Sequence, residues 1–274
     1  MRASKGVVWL SSFLMVLAAF VFMYPFIWMF AGSFKSNLQI FDTQSFWPNR
    51  WNGEWFEALF SGKYFDFWRS LRNSFFISAL QALAATFLAS MAGYALGIGR
   101  FRGRAFLIGV AVALIVLPVQ ASALPMLEWI NRIGLFDTLW GAVVPGLASG
   151  LGLLFFTRVF ALLPRDLLDA ARSEGAGDWR IFIICLPLVR SFMLAYGFLH
   201  FVLAWHAHVI PLLVLHSDAQ RTLPLSLAAL SGNSMNTPQA VILAASSFGM
   251  LVMLGVFGLL YSRLKTALSE FAVG

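Results

Sequence analysis

The sequence has a single cysteine, Cys185, in 274 residues. An internal disulfide is therefore impossible, as is any paired-cysteine metal or redox motif, and a small apolar filler is the ordinary role for such a thiol. Charge is scarce too: 11% of residues are Asp, Glu, Lys or Arg, against 60% hydrophobic. A water-soluble domain of that balance could not cover its surface with polar groups. No Gly-x-x-x-x-Gly-Lys-Ser/Thr phosphate loop occurs, so nucleotide hydrolysis of that kind is not expected of this chain. Neither is there a Gly-x-Ser-x-Gly elbow, and the long apolar runs hold no acid that would complete a hydrolytic triad. Internal repeats and low-complexity tracts are also missing.

What is present is a series of six apolar runs, at about 7–31, 73–98, 105–126, 139–163, 191–215 and 240–261. Each reaches the roughly 20 residues that a bilayer requires. They predict an all-α integral membrane protein with six transmembrane helices in a single transmembrane domain, 1–274. The first run ends in bulky Tyr24-Pro25-Phe26-Ile27-Trp28, and it is longer than the core of about 7–15 residues in a cleaved signal peptide. It reads as a retained span, kinked at Pro25. The net charge of +7 raises nucleic acid as a partner, but the distribution argues otherwise. With both termini cytoplasmic, twelve of nineteen basic residues, from Arg2 and Lys5 to Arg263 and Lys265, fall inside with only five of twelve acids. That is the asymmetry of a multi-pass protein of a bacterial-type cytoplasmic (inner) membrane, in contact with lipid and not with nucleic acid.

Polar groups inside the runs mark candidate functional positions. The third run is broken by Pro118 and Pro125 around Gln120 and Ser122, an irregularity tolerated at that depth where neighbouring helices or a water-filled path satisfy the backbone. The fifth carries His200, Trp205, His206 and His208. On a continuous helix His206 and His208 point about 200° apart, so they cannot share a metal, and no metal site is expected. Intramembrane ionisable groups face the bundle interior, or hydrogen-bond across helices. Gln120, Ser122, His200, Trp205, His206 and His208 are thus the candidate substrate path. Between the first two runs, Trp51, Trp55 and Leu59 recur every four residues, predicting one helical face at the headgroup layer.

Between the fourth and fifth runs lies a polar island, 164–190. Pro164 fixes φ where a helix can start, Asp166 and Asp169 suit its positive end, and Gly175 is placed to stop it in the left-handed conformation. Asp169-Ala170-Ala171-Arg172, then Glu174-Gly175-Ala176, Trp179, Phe182 and Ile184-Cys185-Leu186-Pro187 resemble the cytoplasmic EAA loop of ABC importer permeases, with the two acids exchanged. Tyr24 to Lys35, Ala92-Gly93-Tyr94-Ala95-Leu96 with Phe101-Arg102-Gly103-Arg104, Ile133 to Gly141, and Thr222-Leu223-Pro224-Leu225 to Ser231-Gly232 are similar to segments of the carbohydrate-uptake, maltose-type permeases, so the likeness runs almost end to end.

The resemblance implies a permease of an ATP-driven, binding-protein-dependent importer of a carbohydrate-like solute, working by alternating access. Asp169, Ala170, Ala171, Arg172, Glu174, Gly175 and Ala176 would form the coupling helix. Partners would be two ATP-binding subunits that hold ATP and Mg, a second homologous permease chain and an extracytoplasmic solute-binding protein, with no cofactor in this chain. A glycoside or a phosphorylated polyol is an alternative solute. An ion-coupled secondary carrier is a further alternative, although the inverted repeat of many carriers is not visible. Two departures stand out: Trp205-His206-Ala207-His208 replaces the family's usual Trp-Asn-Asp or Trp-Asn-Glu, and the chain ends in Glu270-Phe271-Ala272-Val273-Gly274, not in Gly-Ala-Val-Lys-Gly.

Overall fold

The computed structural model describes residues 5–42, 45–232 and 237–273, and all its regular structure is helical. Arg2 of the basic start, Asn233 to Asn236 and the terminal Gly274 lie outside the described residues, as do the side chains of Lys5 and of Glu270 to Val273. In chain order the helices are α1 (Lys5–Gly32), α2 (Asn37–Ile40), α3 (Glu54–Phe60), α4 (Phe67–Ile98), α5 (Arg104–Val116), α6 (Ala123–Arg132), α7 (Leu139–Val143), α8 (Gly150–Ala161), α9 (Arg165–Ser173), α10 (Asp178–Cys185), α11 (Arg190–Trp205), α12 (Val209–Val214), α13 (Leu223–Gly232) and α14 (Gln239–Val273). Among the described residues, three stretches are long and apolar enough to cross a membrane unbroken: Trp9–Gly32, Phe67–Ile98 and Gln239–Arg263. Two more qualify as bent pairs, α7 with α8 at 43° and α10 with α11 at 80°.

Proline explains most of the breaks. Leu117, immediately before Pro118, is extended at φ −67° and ψ 119°, because the proline ring disfavours the helical region for its predecessor. The third run is therefore not one helix: α5 stops at Val116 and α6 restarts at Ala123 with Pro125 in its first turn. Pro211 acts likewise in the fifth run. It sits in the first turn of α12, where its missing N–H is no loss, whereas a helix running through 207–211 would be interrupted there. This corrects the continuous fifth helix predicted above: α11 ends at Trp205, and His206 and His208 flank a gap. Pro25 is the exception, since α1 continues through it.

The chain divides into two compact units. The first comprises Met1–Trp68 with Ser226–Val252. Here Leu59, Phe67, Val241 and Ala244 are fully buried, and the rings of Phe60, Phe67, Trp68 and Phe248 meet within 5.2–5.7 Å. Lys35 is buried, with its ammonium donating to the Ser45 carbonyl at 2.5 Å. The predicted tryptophan face is corrected as well: α3 begins only at Glu54, so Trp51 stands before it against Phe34, Trp55 donates to the Lys35 carbonyl at 2.9 Å, and Leu59 is core. Most of α1 is exposed and apolar all round, the pattern of a helix facing lipid or other helices.

The second unit comprises Arg69–Leu225 with Met253–Gly274, and α4 passes through both of its cores. Towards the start of α4, Ile77 joins Ile130, Val143, Val214 and Leu225. Gln81 is buried beside them, donating to the carbonyls of Ala142 at 2.7 Å and Val143 at 3.2 Å, which ties α4 to the end of α7. Towards the end of α4, Ala89 and Tyr94 join Phe156, Phe160, Phe182 and Tyr196. A Cβ on Gly93 would lie 2.3 Å from Phe156 Cβ and 2.7 Å from the Phe156 carbonyl carbon, so only glycine lets α4 and α8 approach this closely.

Candidate functional site

The polar island folds as two short helices. The α9 helix starts directly after Pro164, as predicted. At its other end Ala176 N–H donates to the Ala171 carbonyl at 3.0 Å and Gly175 N–H to the Arg172 carbonyl at 2.9 Å. With Gly175 at φ 81°, these two bonds form the Schellman closure that consumes the otherwise unpaired carbonyls of a helix end. No atom lies within 4 Å of where a Gly175 Cβ would sit; the demand for glycine is purely conformational.

One face of α9 is core and the other is open. Leu168 is buried, and Ala171 and Ala176 pack on the cluster that holds Ile181, Phe182, Cys185 and Phe160. Asp169, Ala170, Arg172, Glu174 and Gly175 are exposed. Of the two alanines, then, only Ala170 offers a bare backbone to a neighbour. Asp169 and Arg172 make an exposed ion pair at 3.3 Å, a contact of small energetic value. Asp178 opens α10, Trp179 stays exposed with its ring 5.4 Å from Phe182, and Phe182 turns inward against Tyr94 at 5.4 Å. The elbow is thus a charged surface bolted to an aromatic core.

The candidate path residues are scattered along their elements. His200 is buried, its Nδ1 3.3 Å from the Tyr196 hydroxyl one turn earlier in α11. Trp205 is buried and stacks on Phe201 at 5.9 Å. His206 is exposed and His208 half-buried, on either side of the break. Gln120 is exposed in the turn before α6, and Ser122 donates to the Val119 carbonyl at 3.1 Å. Among the described residues no three His, Cys, Asp or Glu side chains cluster as a metal site would need.

A clamp absent from the sequence reading joins the segment before α7 to the segment after α12. Asp137, at φ 54°, accepts from the backbone N–H groups of His216 at 2.8 Å and Ser217 at 3.0 Å and from the Ser217 hydroxyl at 3.1 Å. Desolvation opposes its charge, but these donors outweigh it and hold the carboxyl below the usual carboxylate range. The signal was an Asp at a position that tolerates positive φ, yet its partners lie some 80 residues away.

Comparison with known proteins places the chain. It is 28% identical to the arabinooligosaccharides transport system permease protein AraQ of Halalkalibacterium halodurans, over 84% of this chain and 83% of that one. It is 29% identical to the lactose transport system permease protein LacG of Rhizobium radiobacter, over 78% of each. Its fold matches a chain from the crystal structure of a bacterial ABC transporter involved in the import of the acidic polysaccharide alginate, with a TM-score of 0.79 at 18% identity, covering 96% of this chain and 99% of that one. Residues 85–270, which include the α9–α10 elbow, match the description of the binding-protein-dependent transport system inner membrane component, and the chain belongs to that family.

Proposed function

We propose that the chain is one membrane subunit of an ATP-driven importer of a carbohydrate, with α9 as the handle by which the ATP-binding subunits move it. The observation that carries this reading is the two-faced α9: an exposed charged surface, closed at its end by Gly175, on a helix whose inner face is continuous with the core. Because Leu168 and Phe182 share that core with Ala89, Phe156 and Tyr196, a displacement of the handle passes to α4, α8 and α11 as a body, packed interiors having few voids in which to absorb it. Asp169, Arg172 and Glu174 offer charges to a partner surface, and Ala170 allows close backbone approach.

The cycle is alternating access. Two ATP-binding subunits, holding ATP and Mg, draw together, the handle follows, and the path between this chain and a second, homologous membrane subunit opens outward to a solute-loaded binding protein. Hydrolysis returns it inward. Both termini and α9 lie on the cytoplasmic side, and 1–274 works as one permease domain with six spans. In this count α5 and the turn after it make the third span; the 13 residues of α5, at about 1.5 Å each, fall short of a bilayer core of about 30 Å by themselves. His206 and His208 meet the solute at the break, together with Gln120 and Ser122. Carbohydrate is the solute class of relatives named for arabinooligosaccharides and for lactose.

The test is purification of the chain from its native membrane in mild detergent. Two ATP-binding subunits and a second membrane subunit should co-purify, and a sugar-loaded binding protein should stimulate their ATPase. Uptake in proteoliposomes that needs an ion gradient and no nucleotide would overturn the reading.

A further inference from the structure

Where α4 and α8 end and α9 begins, the second unit has a half-open cavity of about 750 Å³. Four guanidinium groups line it, Arg100, Arg104, Arg165 and Arg172, against two carboxylates, Asp169 and Asp178. Two of the arginines are committed: Arg172 to Asp169 at 3.3 Å, and Arg104, whose Nε donates to the Leu96 carbonyl at 2.7 Å. Among the described residues, the guanidinium groups of Arg100 and Arg165 make no hydrogen bond or ion pair. Orientation alone explains why basic residues flank a span. It does not explain four converging on one hollow with two positive charges in excess, while Arg102 of the same loop does not line it.

The surroundings point to a ligand with both a charged and an apolar part. Phe101 and Leu162, next in sequence to lining residues, are 44% and 76% exposed, and Phe106 is 74% exposed. Cavity and apolar side chains together sit at helix ends, the level at which a bilayer passes from hydrocarbon to headgroup. We propose that this cavity binds the phosphate of an anionic phospholipid headgroup, with Arg100 and Arg165 as the principal contacts and Arg104 and Arg172 behind them. Guanidinium forks match phosphate oxygens bidentately, and basic pockets between membrane helices are a known form of headgroup site. Occupancy would bear directly on α9, since Asp169 and Arg172 form part of the wall. The inference takes from the preceding reading only that α4 and α8 span the membrane.

The experiment is native mass spectrometry of the complex that co-purifies with the chain, titrated separately with phosphatidylglycerol and with phosphatidylcholine. Wild type should retain phosphatidylglycerol selectively, and Arg100→Gln with Arg165→Gln should weaken that retention by about thirtyfold, the scale expected for two basic residues near an anionic surface. Should the double variant fail to assemble, Arg100→Lys with Arg165→Lys serves instead: it keeps both charges but loses the bidentate fork, so retention should fall measurably though by less than expected of the glutamine variant, and unchanged retention would overturn the site. Inorganic phosphate added as competitor separates the sources. Displacement of lipid only at a large excess supports a headgroup site, whereas protection by inorganic phosphate with no lipid retained overturns it. Equal retention of both lipids, or of phosphatidylglycerol by wild type and the glutamine variant, also overturns it, as does binding to the isolated chain that vanishes in the complex, which would mean that a partner subunit covers the cavity. Lipid retention is read from mass and energy coupling from ATPase assays, so failure here is distinct from failure of the importer reading.

Discussion

The α9–α10 elbow and the α11–α12 break are both places where the helical path turns at polar residues, and they are held in different ways. The elbow closes on itself: its turn is made by bonds between residues five or fewer apart, Ala176 to Ala171 and Gly175 to Arg172, and its weight rests on Leu168 and Phe182. The break also has local backbone bonds, Ala207 N–H to the Ala204 carbonyl and Leu212 N–H to the His208 carbonyl, but no left-handed residue closes it, and Trp205, Pro211 and Val214 are buried on either side. A locally closed turn moves as one piece, which suits a handle. A break without such a closure, set between buried side chains, can change when they shift, which suits a path.

The largest expected effect probes the mounting of the proposed handle. Phe182→Ala should cost about 3–5 kcal/mol, as loss of a buried ring in a packed cluster does, and should lower the thermal midpoint of the purified chain in detergent; an unchanged midpoint would mean that the elbow is not carried by that core. Gly175→Val comes next. Space is open there, so the cost is the conformational one of about 1–2 kcal/mol for a left-handed residue, and uptake per ATP hydrolysed should fall while membrane insertion holds. Unchanged coupling would remove α9 from the role of handle.

Smaller effects test the other side. His206→Ala and His208→Ala should change solute KM by about tenfold or less, the scale of a single hydrogen bond at about 0.5–1.5 kcal/mol, with assembly intact. His200→Ala should do the reverse, lowering stability with little change in KM, because that ring is buried against Tyr196. The same outcome for all three would erase the distinction between break and core. The smallest effect is at Asp137. Its carboxyl is held low by the N–H groups of Ser217 and His216 against opposing desolvation, so its stabilisation is complete above the ordinary carboxylate pKa and fades as pH falls through the lower folded value. A plot of thermal midpoint against pH should show that acid loss in wild type and a shallower one in Asp137→Asn.

The elbow was legible because each of its signals acts within a few residues: Pro164 to begin α9, Gly175 to end it, and the alternation of Leu168 and Ala171 with charges to set its faces. The break at His206 was missed although Pro211 announced it, because an unbroken apolar run outweighed one proline. The tryptophan face failed for a related reason. A four-residue spacing shows which positions would share a helical side, but not that the helix has begun, and α3 starts after Trp51.

Composition and charge asymmetry determined by themselves that this chain is a helical membrane protein with a polar elbow, since bilayer length and glycine's left-handed freedom are properties of short stretches. Only the tertiary structure decided that Gln81 reaches the carbonyls of Ala142 and Val143, that Asp137 clamps His216 and Ser217, and that four arginines from three segments share one hollow. Each of these joins residues far apart in the chain, and such pairings follow from which faces meet when the helices pack.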